Sequence, residues 1–502
     1  MCQALHAGLR CDVGLHCPVH LHLCLCLHLY LRHRQARTKL CLYGGAVAGI
    51  GFELRKLLKR DSYIGLVQAY AYAGLISSGP WVLSILGLVA IGIISLNVSV
   101  PDLQITQFQV SVTYLIMTSL IGTGFIQLGF TRWVSDRLFE LNRDVILPNF
   151  AGVMLVTNTV GGLLALVLAF TVFRGESILY RALMCGGFVT MSLVWVATIF
   201  MSGLKFYKTI VALFGFGYAL SVALAFALRP WGLEGLLAGY IGGQFLMLVG
   251  MMFIVIRSFP APTMIAFDCF KKGAMYPTLI WVGALFNFGI WADKMVFWIY
   301  PATSVAVIGP LRASVIYDLP VFLAYLTIIP GMAVFLVRFE TDFVEWYDKF
   351  YGAVRKGGSL QEIAEMRDGM VDAIRQGLFE IIKVQTLSVL IMIVFAPTIF
   401  NKLQISQLYL PLFYVDAVAA SLQVALLAMM NVFFYLDKRF IVLVLVGMLS
   451  VLNIVFTVAT LSLGAAFYGY GFALALLITL VTSLVMLERK LSRLEYETFM
   501  LQ

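Results

Sequence analysis

Residues 209–256 read TIVALFGFGYALSVALAFALRPWGLEGLLAGYIGGQFLMLVGMMFIVI. Two apolar runs are parted there only by Arg229, Pro230 and Glu234. Each is close to the roughly 20 residues that a helix needs to cross the hydrocarbon core of a bilayer. In water such helices would expose apolar side chains on every face, so their solvent is lipid. The same pattern recurs along the chain, near 72–96, 108–131, 149–173, 178–202, 209–228, 231–256, 277–300, 317–337, 384–402, 410–435, 440–463 and 464–487. Of the 502 residues, 61% are hydrophobic and 12% charged, with a mean hydropathy of +0.94. That charge share is about half that of an ordinary soluble domain. A water-soluble globule, a collagen, a disulfide scaffold and a disordered tail are all excluded. The predicted fold is an all-α polytopic membrane protein of about twelve transmembrane helices.

Basic residues in the connections orient the spans, because Lys and Arg are retained on the cytoplasmic side. With the first span starting inside, 24 basic residues fall on the inner side and five outside: Arg174, Arg181, Arg229, Arg312 and Lys402. Lys294 is left within a span. Both termini are then cytoplasmic, and each six-span half starts inside. An internal repeat would therefore relate the halves by an axis along the membrane normal, giving two six-helix bundles around a central cleft. The expected organisation is a cytoplasmic segment 47–68, a first bundle 69–256, a cytoplasmic linker 257–276, a second bundle 277–487 and a tail 488–502. Paired glycines such as Gly161–Gly162 and Gly242–Gly243 fit helix packing better than a ligand site.

Residues 1–46 are written differently. They hold all six histidines and six of the eight cysteines, leaving only Cys185 and Cys269 beyond them. The stretch LHLCLCLHLYLRHR is low-complexity rather than amphipathic. A Cys/His metal tract is one reading; a signal peptide is another, although a clean apolar core and a small-residue cleavage site are missing. The reading preferred here is a start codon placed too far upstream, with translation opening at Val47. Without this segment the formal charge falls from +9 to +5, and a basic chain seeking nucleic acid is no longer indicated. No disulfide framework, metal site or cofactor is expected.

The one sizeable soluble element is the cytoplasmic loop 338–385, RFETDFVEWYDKFYGAVRKGG followed by SLQEIAEMRDGMVDAIRQGLFEIIKVQ. Ile363, Met366, Met370, Ile374 and Leu378 recur at helical spacing opposite Glu365, Asp368 and Asp372, which predicts an amphipathic hairpin broken at Gly357 and Gly358. The stripe Ile363, Met366, Met370 and Ile374 either lies on the membrane face or docks a cytoplasmic partner.

No nucleotide-binding glycine loop, metalloprotease motif or nucleophile elbow is present, so the chain is not expected to be an enzyme. Ionisable groups inside spans are costly and become the default functional candidates. Asp293 and Lys294 lie about 10 Å below the outer end of the seventh span, and Asp416 lies at a similar depth in the tenth. Neighbours on a helix point about 100° apart, so a pair of Lys294 with Asp416 is preferred over one with Asp293. Substrate pathway, ion coupling and a purely structural pair all remain open. Arg312, Asp318 and Glu234 are candidates for an external mouth. Nearer the midplane, Asn158, Gln244, Asn287, Gln423 and Asn453, with Trp291 on the span of Asn287, offer the amides and aromatic faces that hold sugars. Amides also bind helices to one another.

From residue 47 the motifs GIGFELRK (49–56), YAGLISSGPW (72–81) and FYGAV with GGSL (350–360) resemble the PelG family, which belongs with the polysaccharide and multidrug flippases. Gly79, Pro80 and Trp81 mark the resemblance most specifically; the 46-residue extension departs from it. The resemblance implies export of the Pel exopolysaccharide across the bacterial inner membrane for biofilm matrix. It also implies partnership with a cytoplasmic glycosyltransferase and with further Pel inner-membrane components, including a cyclic-di-GMP receptor. A flippase for lipid-linked oligosaccharide would share the fold, but its pyrophosphate headgroup would call for more cleft cations than Lys294. A cation-coupled drug exporter would need a carboxylate such as Asp293 or Asp416 for its ion. A membrane scaffold is the remaining alternative.

Overall fold

The computed structural model describes residues 63–96, 102–204, 206–403 and 405–500. The extension 1–46 and the GIGFELRK motif lie outside the described residues. The first half contains α1 (Tyr63–Leu96), α2 (Asp102–Phe139), α3 (Ile146–Thr171), α4 (Ile178–Gly203), α5 (Tyr207–Leu228) and α6 (Gly232–Ser258). The second half opens with α7 (Pro277–Ile299) and an antiparallel hairpin, β1 (Val305–Ile308) with β2 (Leu311–Ala313). It continues through α8 (Val315–Tyr325), α9 (Ile328–Val337), α10 (Val344–Lys356), α11 (Leu360–Lys402), α12 (Leu410–Tyr435), α13 (Arg439–Leu463), α14 (Tyr470–Leu491) and α15 (Leu494–Met500).

Ten stretches among the described residues are long and apolar enough to cross a membrane. One of them, Tyr207–Ser258, is 52 residues long and contains both α5 and α6. A turn at Arg229–Trp231, with Pro230 inside it and Gly232 at φ 67°, reverses the chain between them. Counting that hairpin as two and adding α1, whose 34 residues include no charged side chain, gives the twelve crossings read from the sequence.

The packing of the helices repeats. In the first half α1 packs on α5, α2 and α3 on α4, and α4 and α5 on α6. In the second, α7 packs on α13, α8 and α11 on α12, and α12 and α13 on α14. With α8 and α9 taken as one broken span, the second set is the first shifted by six spans. The two largest apolar cores are one built from α1–α6 with the β-hairpin and one from α7–α15, and smaller clusters bridge them at both seams. The bundles meet along two seams, α2 with α7 and α1 with α9, which the same pseudo-symmetry exchanges.

Small residues set the closeness of these contacts. A Cβ on Gly239 would stand 2.3 Å from the Ala225 nitrogen, and one on Gly243 would stand 2.5 Å from the Ser221 nitrogen. With a glycine ridge there, α5 and α6 approach to backbone contact, trading side-chain volume for dispersion along the interface. Across the α2–α7 seam, a Cβ on Gly283 would lie 2.3 Å from the Gly124 carbonyl oxygen.

The cytoplasmic-type loop is the hairpin its sequence predicts. α10 ends at Lys356 with Gly357 left-handed at φ 70°, and the Ser359 hydroxyl accepts the Glu362 amide N–H at 3.2 Å to start α11. α11 then runs unbroken for 43 residues, about 64 Å of helix, so the amphipathic stem and the ninth span are a single rod. The apolar stripe is not free. Ile363, Met370 and Ile374 are buried and Met366 is half-buried, in one core with Phe350 and Ala353 of α10. Within the chain, α10 supplies the apolar face that covers the stripe.

Candidate functional site

The second bundle holds a buried polar cluster at the level of the seventh span. Asp293 and Lys294 come from α7, Tyr317 and Tyr325 from α8, Asp416 from α12 and Asn453 from α13. Asp293 is fully buried and Lys294 is 3% exposed. The Lys294 ammonium donates to the Asp293 carboxylate at 3.0 Å and to the Ile290 carbonyl at 3.2 Å. Tyr317 donates its hydroxyl to Asp293 at 2.7 Å, and the Asn453 amide donates to it at 3.3 Å and to the Gly289 carbonyl at 2.8 Å. Rings of Trp291, Tyr325 and Phe472 surround the ammonium at 5.1–5.8 Å from their centres.

The preferred partner of Lys294 was Asp416, and the structure corrects this. Lys294 pairs with its own neighbour, Asp293. Four methylenes let the ammonium curl back along the helix toward Ile290, and the 100° between adjacent Cβ vectors does not bind so long a side chain. Asp416 shares the cluster but forms no ion pair. Both of its carboxylate oxygens are buried with no hydrogen-bond donor among the described residues.

A feature absent from the sequence reading lies beside it. The eighth span, expected as one segment over 317–337, is interrupted between α8 and α9 at Leu326 and Thr327. Thr327 donates its hydroxyl to the Ala324 carbonyl, and the Ser388 hydroxyl of α11 donates to the Thr327 carbonyl at 3.3 Å. Pro320 and Pro330, which cannot supply helix donors, were the signal for the break. Interrupted spans near the midplane are where transporters build polar sites, and Tyr325 at this break faces Lys294.

The other candidates are dispersed. Asn287 donates to the Leu120 carbonyl at 3.1 Å across the α2–α7 seam, and Gln244 donates to the Ser221 hydroxyl at 3.1 Å between α6 and α5. These two act as interhelical ties. Gln423 is buried with its carbonyl oxygen unmatched. Asn158 is exposed on α3 beside Leu155 and Val160, on a helix packed chiefly against α4. Among the described residues, no group of three or more His, Cys, Asp or Glu could hold a metal ion.

The mouth candidates do not converge. Arg312 bonds the Ser304 hydroxyl and carbonyl at 2.9 and 3.0 Å. Asp318 accepts the Trp298 indole N–H at 2.9 Å and the Ser314 amide at 3.0 Å, closing the first turn of α8. Glu234 accepts the Ser177 hydroxyl at 2.9 Å. What these contacts build is a hairpin of the second half seated on the first bundle. Gln107 and Tyr114 of α2 donate to the Val307 and Arg312 carbonyls at 3.2 and 3.0 Å, and Tyr114 stacks on Trp298 at 4.6 Å.

The profile of the PelG family, exopolysaccharide exporter (EPS-E), matches residues 47–499. No curated protein matches the chain. Among solved structures, the fold is similar to an outward-facing multidrug resistance MATE family transporter of the MOP superfamily, with TM-score 0.63 and 12% identity over 85% of this chain and 96% of that one. It is also similar to a MOP superfamily transporter from Pyrococcus furiosus, with TM-score 0.58, 12% identity and the same coverage. A MATE structure in a bent conformation matches with TM-score 0.56 at 13% identity, again over 85% and 96% of the two chains. At such identities the likeness is one of fold.

Proposed function

Since the chain belongs to the PelG family of exopolysaccharide exporters, we propose that it passes a Pel-type exopolysaccharide across the bacterial cytoplasmic membrane, in step with a cytoplasmic glycosyltransferase, to supply biofilm matrix. The observation that carries this reading is the family match over residues 47–499, nearly the whole length. The twelve-crossing, two-bundle fold supports it, as does the bias of basic residues, 24 against five, which places both termini and the α10–α11 hairpin in the cytoplasm. In a deletion strain, surface polysaccharide should vanish and return with the full chain. Polymer at the surface without the protein would overturn the reading.

One observation favours a second reading, a cation-coupled exporter of the same fold: the two buried oxygens of Asp416 have no donor among the described residues. Against it, Lys294 already supplies a cation to Asp293. Changing Asp416 to Asn while following drug resistance and surface polymer separately distinguishes the two. Loss of resistance with polymer retained would favour the second.

A further inference from the structure

The two seams between the bundles are unequal although the pseudo-symmetry exchanges them. The α2–α7 seam closes backbone to backbone at Gly124 and Gly283. The α1–α9 seam also closes, with Ala69, Ala73 and Ile76 against Ala333, Leu336 and Val337, but beside that contact, between α1, α9 and the stem of α11, it leaves a cavity of about 880 Å³. Leu75, Leu83, Ile329, Pro330, Val334 and Val384 give it apolar walls, and Tyr70, Glu380 and Lys383 line it as well. Nearby on α11, Leu387, Leu390 and Val394 are exposed, which makes this flank of the helix a lipid-facing one. An apolar void of this size beside the bilayer does not stay empty, because its walls would forgo dispersion contacts that hydrocarbon can supply.

The charged residues of the cavity specify the rest of the occupant. Glu380 is already satisfied by the Arg338 guanidinium, at 2.6 Å to one oxygen. Lys383 is exposed, rests 4.1 Å from the centre of the Phe379 ring, and has no ion pair among the described residues. It stands one residue before the expected ninth span, at the height of the cytoplasmic headgroups. Lysines at that height attract anionic lipid. We propose that the cavity holds an acyl chain of an anionic glycerophospholipid from the cytoplasmic leaflet, with the lipid phosphate on Lys383. The lipid then fills the space left beside the α1–α9 contact. This goes beyond the export reading and does not depend on which polymer is moved.

The test uses the full chain, purified and reconstituted with phosphatidylglycerol or phosphatidylethanolamine of matched chains, with retained lipid counted by native mass spectrometry. The native chain should retain phosphatidylglycerol preferentially. Lys383→Gln should lower that retention about fivefold, the factor supplied by one lysine near an anionic headgroup, and leave phosphatidylethanolamine unchanged. Lys356→Gln, the same charge change out on the α10 end of the hairpin, should do nothing. Ala71→Trp, which puts a ring into the cavity wall, should reduce retention of both lipids. The proposal is overturned by unchanged phosphatidylglycerol in Lys383→Gln, by an equal fall in Lys356→Gln, or by full retention of both lipids in Ala71→Trp.

Discussion

Replacing Lys294 with Met removes the cation bonded to Asp293 while keeping most of the side-chain volume. The carboxylate would stay fully buried with two neutral donors, Tyr317 at 2.7 Å and Asn453 at 3.3 Å. Neutral hydrogen bonds contribute about 1 kcal/mol each, whereas breaking a buried ion pair from one side costs about 3–5 kcal/mol. The single variant should therefore lose most of that amount. In a reconstituted sample heated in steps, the temperature at which half the protein leaves its monodisperse peak should fall by about 3–5 °C. The double variant Asp293→Asn with Lys294→Met removes both charges of the pair, leaving Asp416 as the remaining buried carboxyl of the cluster, and the amide still meets Tyr317 and Asn453, so it should recover most of the loss. A single variant as stable as the native chain, or a double variant no better than the single, would refute this account of the cluster. The stable double variant then separates structure from transport: surface polymer at native levels would mean that the pair only holds α7 against α8 and α13.

Three further outcomes follow from the packing. Ile374→Asp should open the α10–α11 hairpin, since an unpaired buried carboxylate costs several kcal/mol; limited proteolysis should then cut within 338–385, whereas Asp372→Ala on the exposed face should leave the digest unchanged. Gly283→Leu should abolish monodisperse protein because its Cβ alone would meet the Gly124 carbonyl at 2.3 Å; Gly186→Ala, with nothing within 4 Å, should express normally. Burial pushes the Glu497 carboxyl up, but hydrogen bonds and charge from Lys438 and Lys490 outweigh it and hold the group below its ordinary range. The stabilisation of α15 is thus fully present above about pH 4.5 and is lost as pH falls further. Hydrogen exchange of 494–500 should rise on acidification in the native chain and show no such step in Glu497→Gln.

How much was legible in the sequence depended on whether the information was one-dimensional. Span positions and their alternation follow from runs of about 20 apolar residues and from where Lys and Arg are withheld, and α1–α7 and α12–α14 lie where those runs are. The hairpin turn at Gly357 and Gly358 was equally plain, because a left-handed residue followed by Ser359 and Glu362 is a local instruction. The partner of an apolar stripe is not local. Ile363, Met370 and Ile374 announce that something covers them, and only the matching stripe of Phe350, Ala353 and Val354 just upstream shows that the cover is α10. Rotamers are less local still: nothing in the letters Asp293 and Lys294 decides between bonding to each other and reaching Asp416.

The break between α8 and α9 links these scales. Pro320 and Pro330 weaken the helix on either side of Thr327, and the Ser388 hydroxyl of α11 ties to the Thr327 carbonyl at the interruption. Pseudo-symmetry makes the eighth span the counterpart of α2, yet α2 is an unbroken helix of 38 residues. The halves thus share a packing plan but differ where it is interrupted. The interruption, the buried pair and the unpartnered Asp416 all fall in the second bundle, while the β-hairpin strap ties that bundle to α2 on the opposite seam. If the second bundle moves during transport, that strap and the α2–α7 contact must act as its fixed edge, because separating them would expose Gly124 and Gly283 backbone together with the Asn287 amide to lipid. The α1–α9 seam, with 880 Å³ of space beside it, is closed chiefly by small apolar side chains, Ala69, Ala73 and Ile76 against Ala333 and Val337, and is the seam that can widen.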